Sequence, residues 1–311
     1  MLGRRLLFGT LMIAVLFAVF LVDQQVDRMA FAARHPGLVL FVITILLVVW
    51  AGLELAAMMT ARGMAVDRPI VVLAGVTGVA LMFLLPRDAA AATALFASAA
   101  GSLWLVSLVR LAARRRTDGT LSAAGATLFA LVYLGLLPGF YMLIRHDHSG
   151  WIVAAIILVT KCCDIGAYAT GRLIGRHKLI PWLSPGKTWE GLAGGVVLSG
   201  VAALGAAALF NALQTSIDGL AVGGYWEATE AGRTFVPVRI PLLAAAGAGV
   251  LIGLLGQVGD LAASMIKRDA GLKDSGGAVP GFGGILDVLD SPILIAPFAY
   301  WLLLLLRNCI C

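Results

Sequence analysis

Residues 37–59, GLVLFVITILLVVWAGLELAAMM, carry a single ionisable side chain, Glu54, in a run long enough to cross a lipid bilayer. A hydrocarbon layer about 30 Å thick takes roughly 20 apolar residues in a helix. No water is present there to satisfy an open backbone, so the run must be helical. The same reading applies along the chain: further spans are predicted at 6–22, 69–85, 89–111, 121–144, 151–171, 191–213, 240–265 and 291–306, about nine in all. The expected fold class is all-α, a polytopic integral membrane protein. Hydrophobic residues fill 60% and charged residues 13% of the 311 positions, and mean hydropathy is +0.97, a balance that excludes a soluble globular domain.

An odd number of crossings puts the termini on opposite sides. With the amino terminus cytoplasmic, roughly two thirds of the 23 Lys and Arg fall on the cytoplasmic side, among them Arg62, Arg110, Lys187 and Lys267, as the positive-inside rule requires. The expected location is the inner, cytoplasmic membrane. Arg4 and Arg5 before an apolar run, with Ala30-Phe31-Ala32 beyond it, resemble a signal peptide and its cleavage site. The run at 6–22 is long for that purpose and Asp23 to Met29 intervenes, which favours a retained helix. The net charge of +6 resides in short loops between spans, so anionic headgroups and phosphorylated substrates are expected as partners and nucleic acid is not. Cys162, Cys163, Cys309 and Cys311 have no metal-ligand spacing with His.

Charge inside hydrocarbon is costly and marks a polar cavity. In the span at 151–171, Lys161, Asp164, Tyr168 and Arg172 recur at helical spacing and share one face. Gln257, Asp260, Ser264 and Lys267 do the same at the end of the span at 240–265. Beyond them lie Arg268, Lys273, Asp274, a glycine-rich stretch at 275–284, and then Asp287 and Asp290. Four carboxylates, Asp260, Asp274, Asp287 and Asp290, thus interleave with Lys267, Arg268 and Lys273. Clustered carboxylates need a counter-ion, and hard oxygen ligands suit Mg²⁺. The plain alternatives are an ion pair that only neutralises Lys161 and Asp164 and a solvated charged loop. Gly186-Lys187-Thr188 is not a P-loop, which needs glycine where Pro181 stands. His177 has no second ligand at a metal spacing.

At these residues the sequence resembles the phosphatidate cytidylyltransferases, or CDP-diacylglycerol synthases. Ser264, Lys267, Arg268, Lys273, Asp274, Pro280, Gly281, Gly283, Gly284, Asp287 and Asp290 fall in register with the family's carboxyl-terminal signature at 264–291. Asp164-x-Gly166-Ala167-Tyr168 and Ser184-Pro185-x-Lys187-Thr188-x-Glu190-Gly191 resemble its upstream motifs. Phe282 replaces a signature His, Val288 an Arg and Val279 a larger apolar residue. The resemblance divides the chain into amino-terminal helices at 1–150 and a catalytic region at 151–311. It implies transfer of CMP from CTP to phosphatidic acid, giving CDP-diacylglycerol and pyrophosphate. Mg²⁺ is the implied cofactor, with room for a second cation. CTP, phosphatidic acid and membrane lipids are the implied partners, and a homodimer is left open. On this reading Asp260, Asp274, Asp287 and Asp290 hold the cation, and Lys267, Arg268 and Lys273 act on phosphate with Asp164 in support. Ser184, Lys187, Thr188, Ser264, Gly283 and Gly284 bind substrate. An ion-coupled transporter is the rival reading, with Glu54, Lys161, Asp164 and Asp260 lining a pathway. A CDP-alcohol phosphotransferase is disfavoured, because Asp287 and Asp290 lack the rest of that motif.

Overall fold

The computed structural model describes residues 2–27, 36–86, 88–113, 115, 117–216, 222–229, 232–279 and 283–310. The Ala30-Phe31-Ala32 motif, Pro280, Gly281, Phe282 and Cys311 lie outside the described residues. The helices are α1 (Leu2–Asp27), α2 (Leu38–Ala61), α3 (Arg68–Phe83), α4 (Ala89–Ala113), α5 (Thr120–Ala130), α6 (Leu137–Asp147), α7 (Gly150–Ile174), α8 (Trp189–Ser216), α9 (Leu242–Asp269) and α10 (Ile285–Ile310). A π-helical turn, Leu131–Leu136, joins α5 to α6 into one rod. Two antiparallel ribbons interrupt the helices: β1 (Lys178–Ile180) with β2 (Ser184–Thr188), and β3 (Gly224–Thr229) with β4 (Gly232–Pro237).

Among the described residues eight helices are long and apolar enough to cross a membrane. The protein is a multi-pass membrane protein. The ninth expected span, α3, has 16 residues, or about 24 Å of helix, which is shorter than the hydrocarbon layer. It nevertheless joins the same two ends of the bundle as its neighbours. Asp67, just before α3, pairs with Arg110 near the end of α4 at 3.1 Å. Phe83, at the other end, stacks on Phe41 near the start of α2.

The molecule therefore has two distinct faces. On one, Arg62 after α2 meets Asp269 of α9 at 3.4 Å, and Arg268 Nε donates to the carbonyl of Leu183 between β1 and β2. On the opposite face, Arg145 of α6 is buried against Asp23 and Asp27 of α1. Those carboxylates also accept the main-chain N–H groups of Leu40 and Gly37 at the entry to α2. Asn211 of α8 exchanges two hydrogen bonds with the backbone of Ile240 before α9, and His148 meets the carbonyl of Gly224 in β3. The carboxyl end of α1 and the amino end of α10 lie on opposite faces, so the two chain ends do as well.

Small residues bring the carboxyl-terminal helices together. A side chain on Gly166 of α7 would strike the backbone of Gly194 and Gly195 in α8, and one on Gly253 of α9 would strike Ser199 of α8. Lipid gives helices no hydrophobic drive to associate, so close backbone packing of this kind supplies the attraction. It also draws the charged faces of α7, α9 and α10 towards a common centre.

Candidate active site

Three lysine–aspartate pairs form that centre. On α7, Lys161 Nζ lies 3.2 Å from Asp164 Oδ2. From the ribbon before α8, Lys187 Nζ reaches Asp260 Oδ2 of α9 at 2.7 Å. Lys267 of α9 lies 2.7 Å from Asp287 Oδ1 and 4.0 Å from Asp290 Oδ2 of α10. Gln257 Nε2, one turn from Asp260, donates to Asp164 Oδ1 at 3.4 Å and links the first two pairs. Asp260 lies within electrostatic range of both Asp164 and Asp290. Like charges gathered this closely are held only because each has a cation beside it.

Asp287 does more than pair with Lys267. Its second oxygen accepts from Ser275 N, Ser275 Oγ and Gly284 N at 2.8–2.9 Å. Glu54, buried on α2, accepts the next two helical N–H groups, from Ile285 and Leu286, each at 2.9 Å, and lies 3.0 Å from Ser275 Oγ, whose single proton it shares with Asp287. The first N–H groups of a helix have no partner within it and favour negative charge. Here the chain supplies both carboxylates itself. Gly283 closes the loop through reciprocal main-chain bonds with Val279. Its φ of +101° is one that L side chains rarely adopt, and a Cβ there would press on Asp287. On Gly284 a Cβ would collide with Ser275 and Glu54.

A model of the cytidylyltransferase family matches residues 3–306. The chain belongs to the cytidylyltransferase family. A phosphatidate cytidylyltransferase of Mycobacterium bovis is 36% identical over 188 residues, which cover 60% of this chain and 52% of the relative. One from Bacillus subtilis is 33% identical over 189 residues, 60% of each. The uncharacterized protein YnbB of Escherichia coli is 38% identical over 150 residues, 48% of this chain and 41% of the relative. The chain thus spans about half the length of the curated relatives it matches.

Within this member of the cytidylyltransferase family, the expected site residues separate into groups. Asp164, Asp260, Asp287, Asp290, Lys187 and Lys267 come together. Thr188, expected on a phosphate, is buried and accepts the N–H of Gly191 at 3.0 Å, the bond of a helix N-cap. Gly283 and Gly284 pack against carboxylates. Arg268 donates to the carbonyls of Leu183 and Leu272 and ties two loops at the rim. Lys273 and Asp274 are exposed on the loop after α9, with Asp274 beside Gly283. Ser184 and Ser264 are half-buried. Val288, the Arg departure, is half-buried on α10. His177 is paired with Glu190, whose carboxylate also accepts the N–H groups of Arg176 and His177.

Asp164, Asp260 and Asp290 offer hard carboxylate oxygens, the donor chemistry that Mg²⁺ takes. Among the described residues no three His, Cys, Asp or Glu side chains close into a ready cage. The protein offers a partial set, and water and phosphate oxygens would complete it. The structural importance of Glu54 and Ser275 was missed by sequence reasoning. The lone charge in the span at 37–59 was the available signal for Glu54.

Proposed function

We propose that the chain is a phosphatidate cytidylyltransferase, working where α7, α9 and α10 meet the inner face of the cytoplasmic membrane. What carries the reading is the pair of lysines, Lys187 and Lys267, brought from separate segments to carboxylates near one end of a membrane bundle, with the Lys161–Asp164 pair deeper along α7. The phosphate monoester of phosphatidic acid is already anionic near neutral pH, so it needs little help from a general base. One of its oxygens forms a bond to the α-phosphorus of CTP, the α–β phosphoanhydride bond breaks, and pyrophosphate leaves with the electron pair. The difficulty is electrostatic, because two polyanions must approach and charge must be stabilised on the leaving group. Lys187 and Lys267 would exchange carboxylate for phosphate, which frees Asp260 and Asp290 to hold Mg²⁺. The cation would supply further neutralisation of phosphate charge. Asp287, already held by the loop, keeps Lys267 aimed.

The test is incubation of purified protein with phosphatidic acid, labelled CTP and Mg²⁺. The expected result is CDP-diacylglycerol together with pyrophosphate, lost on chelation of the metal. Absence of product with every phospholipid acceptor, alongside solute flux across vesicles, would replace this reading with transport. The mass of the same preparation in detergent shows whether a second copy joins it.

A further inference from the structure

Gln257 is a carboxamide buried within the span of α9, and a polar group at that depth costs stability unless its hydrogens are taken up. Both are. The side-chain nitrogen donates to Asp164 Oδ1 at 3.4 Å and faces Cys163 Sγ at 3.8 Å. Those two acceptors are neighbours on α7, so one amide from α9 spans two consecutive residues of the facing helix. Cys163 is itself fixed, since it is buried and its Sγ donates to the carbonyl of Gly253, one turn before Gln257. With the thiol proton committed there, the sulfur offers the amide only lone pairs. The network thus assigns the nitrogen of the carboxamide, and not its oxygen, to α7.

Asp164 needs such a holder. Its cation, Lys161, lies on its own helix and pairs with Oδ2. Among the described residues Gln257 supplies the only hydrogen bond that reaches Asp164 from another helix. Asp260, one turn further along the same face of α9, is paired with Lys187, whose Nζ also approaches the main-chain carbonyl of Gln257 at 3.5 Å. When Lys187 turns to phosphate, the lysine link over this turn of α9 opens. The amide is then what keeps Asp164 of α7 facing Asp260 of α9. Both carboxylates are part-exposed, unlike that of Asp287, and are therefore accessible to a cation. A carboxylate that ligates a metal is itself held by hydrogen bonds from behind, and loss of such a partner costs roughly 10- to 100-fold in metal affinity or activity.

We propose that Gln257 is a positioning residue that aims Asp164 at a divalent cation shared with Asp260. This assignment rests on the cytidylyltransferase reading for the cation and its place. Gln257→Leu in the full chain keeps the bulk and removes the donors. In detergent with CTP and no lipid, the Mg²⁺ concentration that gives half of the metal-dependent rise in melting temperature is expected to be about tenfold higher than in the parent. In the transfer assay the half-saturating Mg²⁺ concentration should rise by a similar factor, while the KM for phosphatidic acid stays within about twofold of the parent's. A side chain that only packs would lower the melting temperature without metal and leave both Mg²⁺ requirements where they were. That result overturns the proposal, as does a parent whose melting temperature does not respond to Mg²⁺. Gln257→Asn, which carries the amide on a shorter stem that cannot span Cys163 and Asp164, is expected to raise the Mg²⁺ requirement too, and it supplies the same readout should Gln257→Leu not fold. If the parent transfers no CMP yet Gln257→Leu weakens its response to Mg²⁺, the transfer reading falls and the positioning stands. If both proteins transfer CMP with one Mg²⁺ requirement, the positioning alone falls.

Discussion

Asp260 and Asp287 carry the same chemical group but differ in what depends on them. The Asp260 side chain is 28% exposed and pairs with Lys187, whereas that of Asp287 is 7% exposed and also fastens Ser275 and Gly284. Asp260→Asn is expected to lower turnover about 100-fold, the scale of one removed electrostatic contact at a reacting centre, and to shift the melting temperature little. Asp287→Asn is expected to lower both, since Lys267 loses its nearest partner and the loop loses a hinge-pin acceptor. Turnover and thermal unfolding measured on the two variants distinguish these roles. At this scale the sequence was informative about chemistry. The spacings of Lys161 with Asp164 and of Gln257 with Asp260 already placed those pairs on shared faces. The bond from Ser275 to Glu54 was not legible, because it joins residues 221 positions apart and no periodicity encodes such a meeting.

Among the elements, the start of α10 is the most exacting. Gly283→Ala must place a side chain at a φ of +101° and against Asp287, a strain of about 1–3 kcal/mol. A lowered melting temperature with a comparable loss of activity is the expected outcome, while Gly186→Ala, which meets nothing within 4 Å, is expected to leave stability unchanged. The sequence called for a glycine-rich ligand loop here. In the structure Gly283 and Gly284 let the chain's own carboxylates approach the backbone. Apolar runs located the long helices because burial in lipid constrains every residue of a span. They were silent about the π-turn, which depends on Pro138 and on the close approach of Gly78. They were silent about the β3–β4 ribbon as well, since a short ribbon lacks the continuous apolar pattern of a span.

For the whole molecule, the separation of the two faces predicts topology. In a background freed of native cysteines, a cysteine at Gly186 should react with an impermeant maleimide only from the cytoplasmic side, and one at Thr234 only from the other. Labelling of both from one side would refute the nine-crossing path. The face remote from the site has its own anchor in Arg145, which is 3% exposed between Asp23 and Asp27. Arg145→Ala leaves the buried Asp23 and the half-buried Asp27 without their cation and is expected to cost about 3–5 kcal/mol, read as a lower melting temperature with intact site chemistry in the surviving folded fraction.

Glu54 ties the amino-terminal helices to the start of α10. The carboxylate that fixes where α10 begins comes from α2, so residues 151–311 cannot be transplanted as a cassette. A chimera that grafts residues 151–311 onto another member's leading helices would need an acid at the corresponding depth of its second helix. Without one, the graft would carry every signature residue and still misplace the turn that positions them.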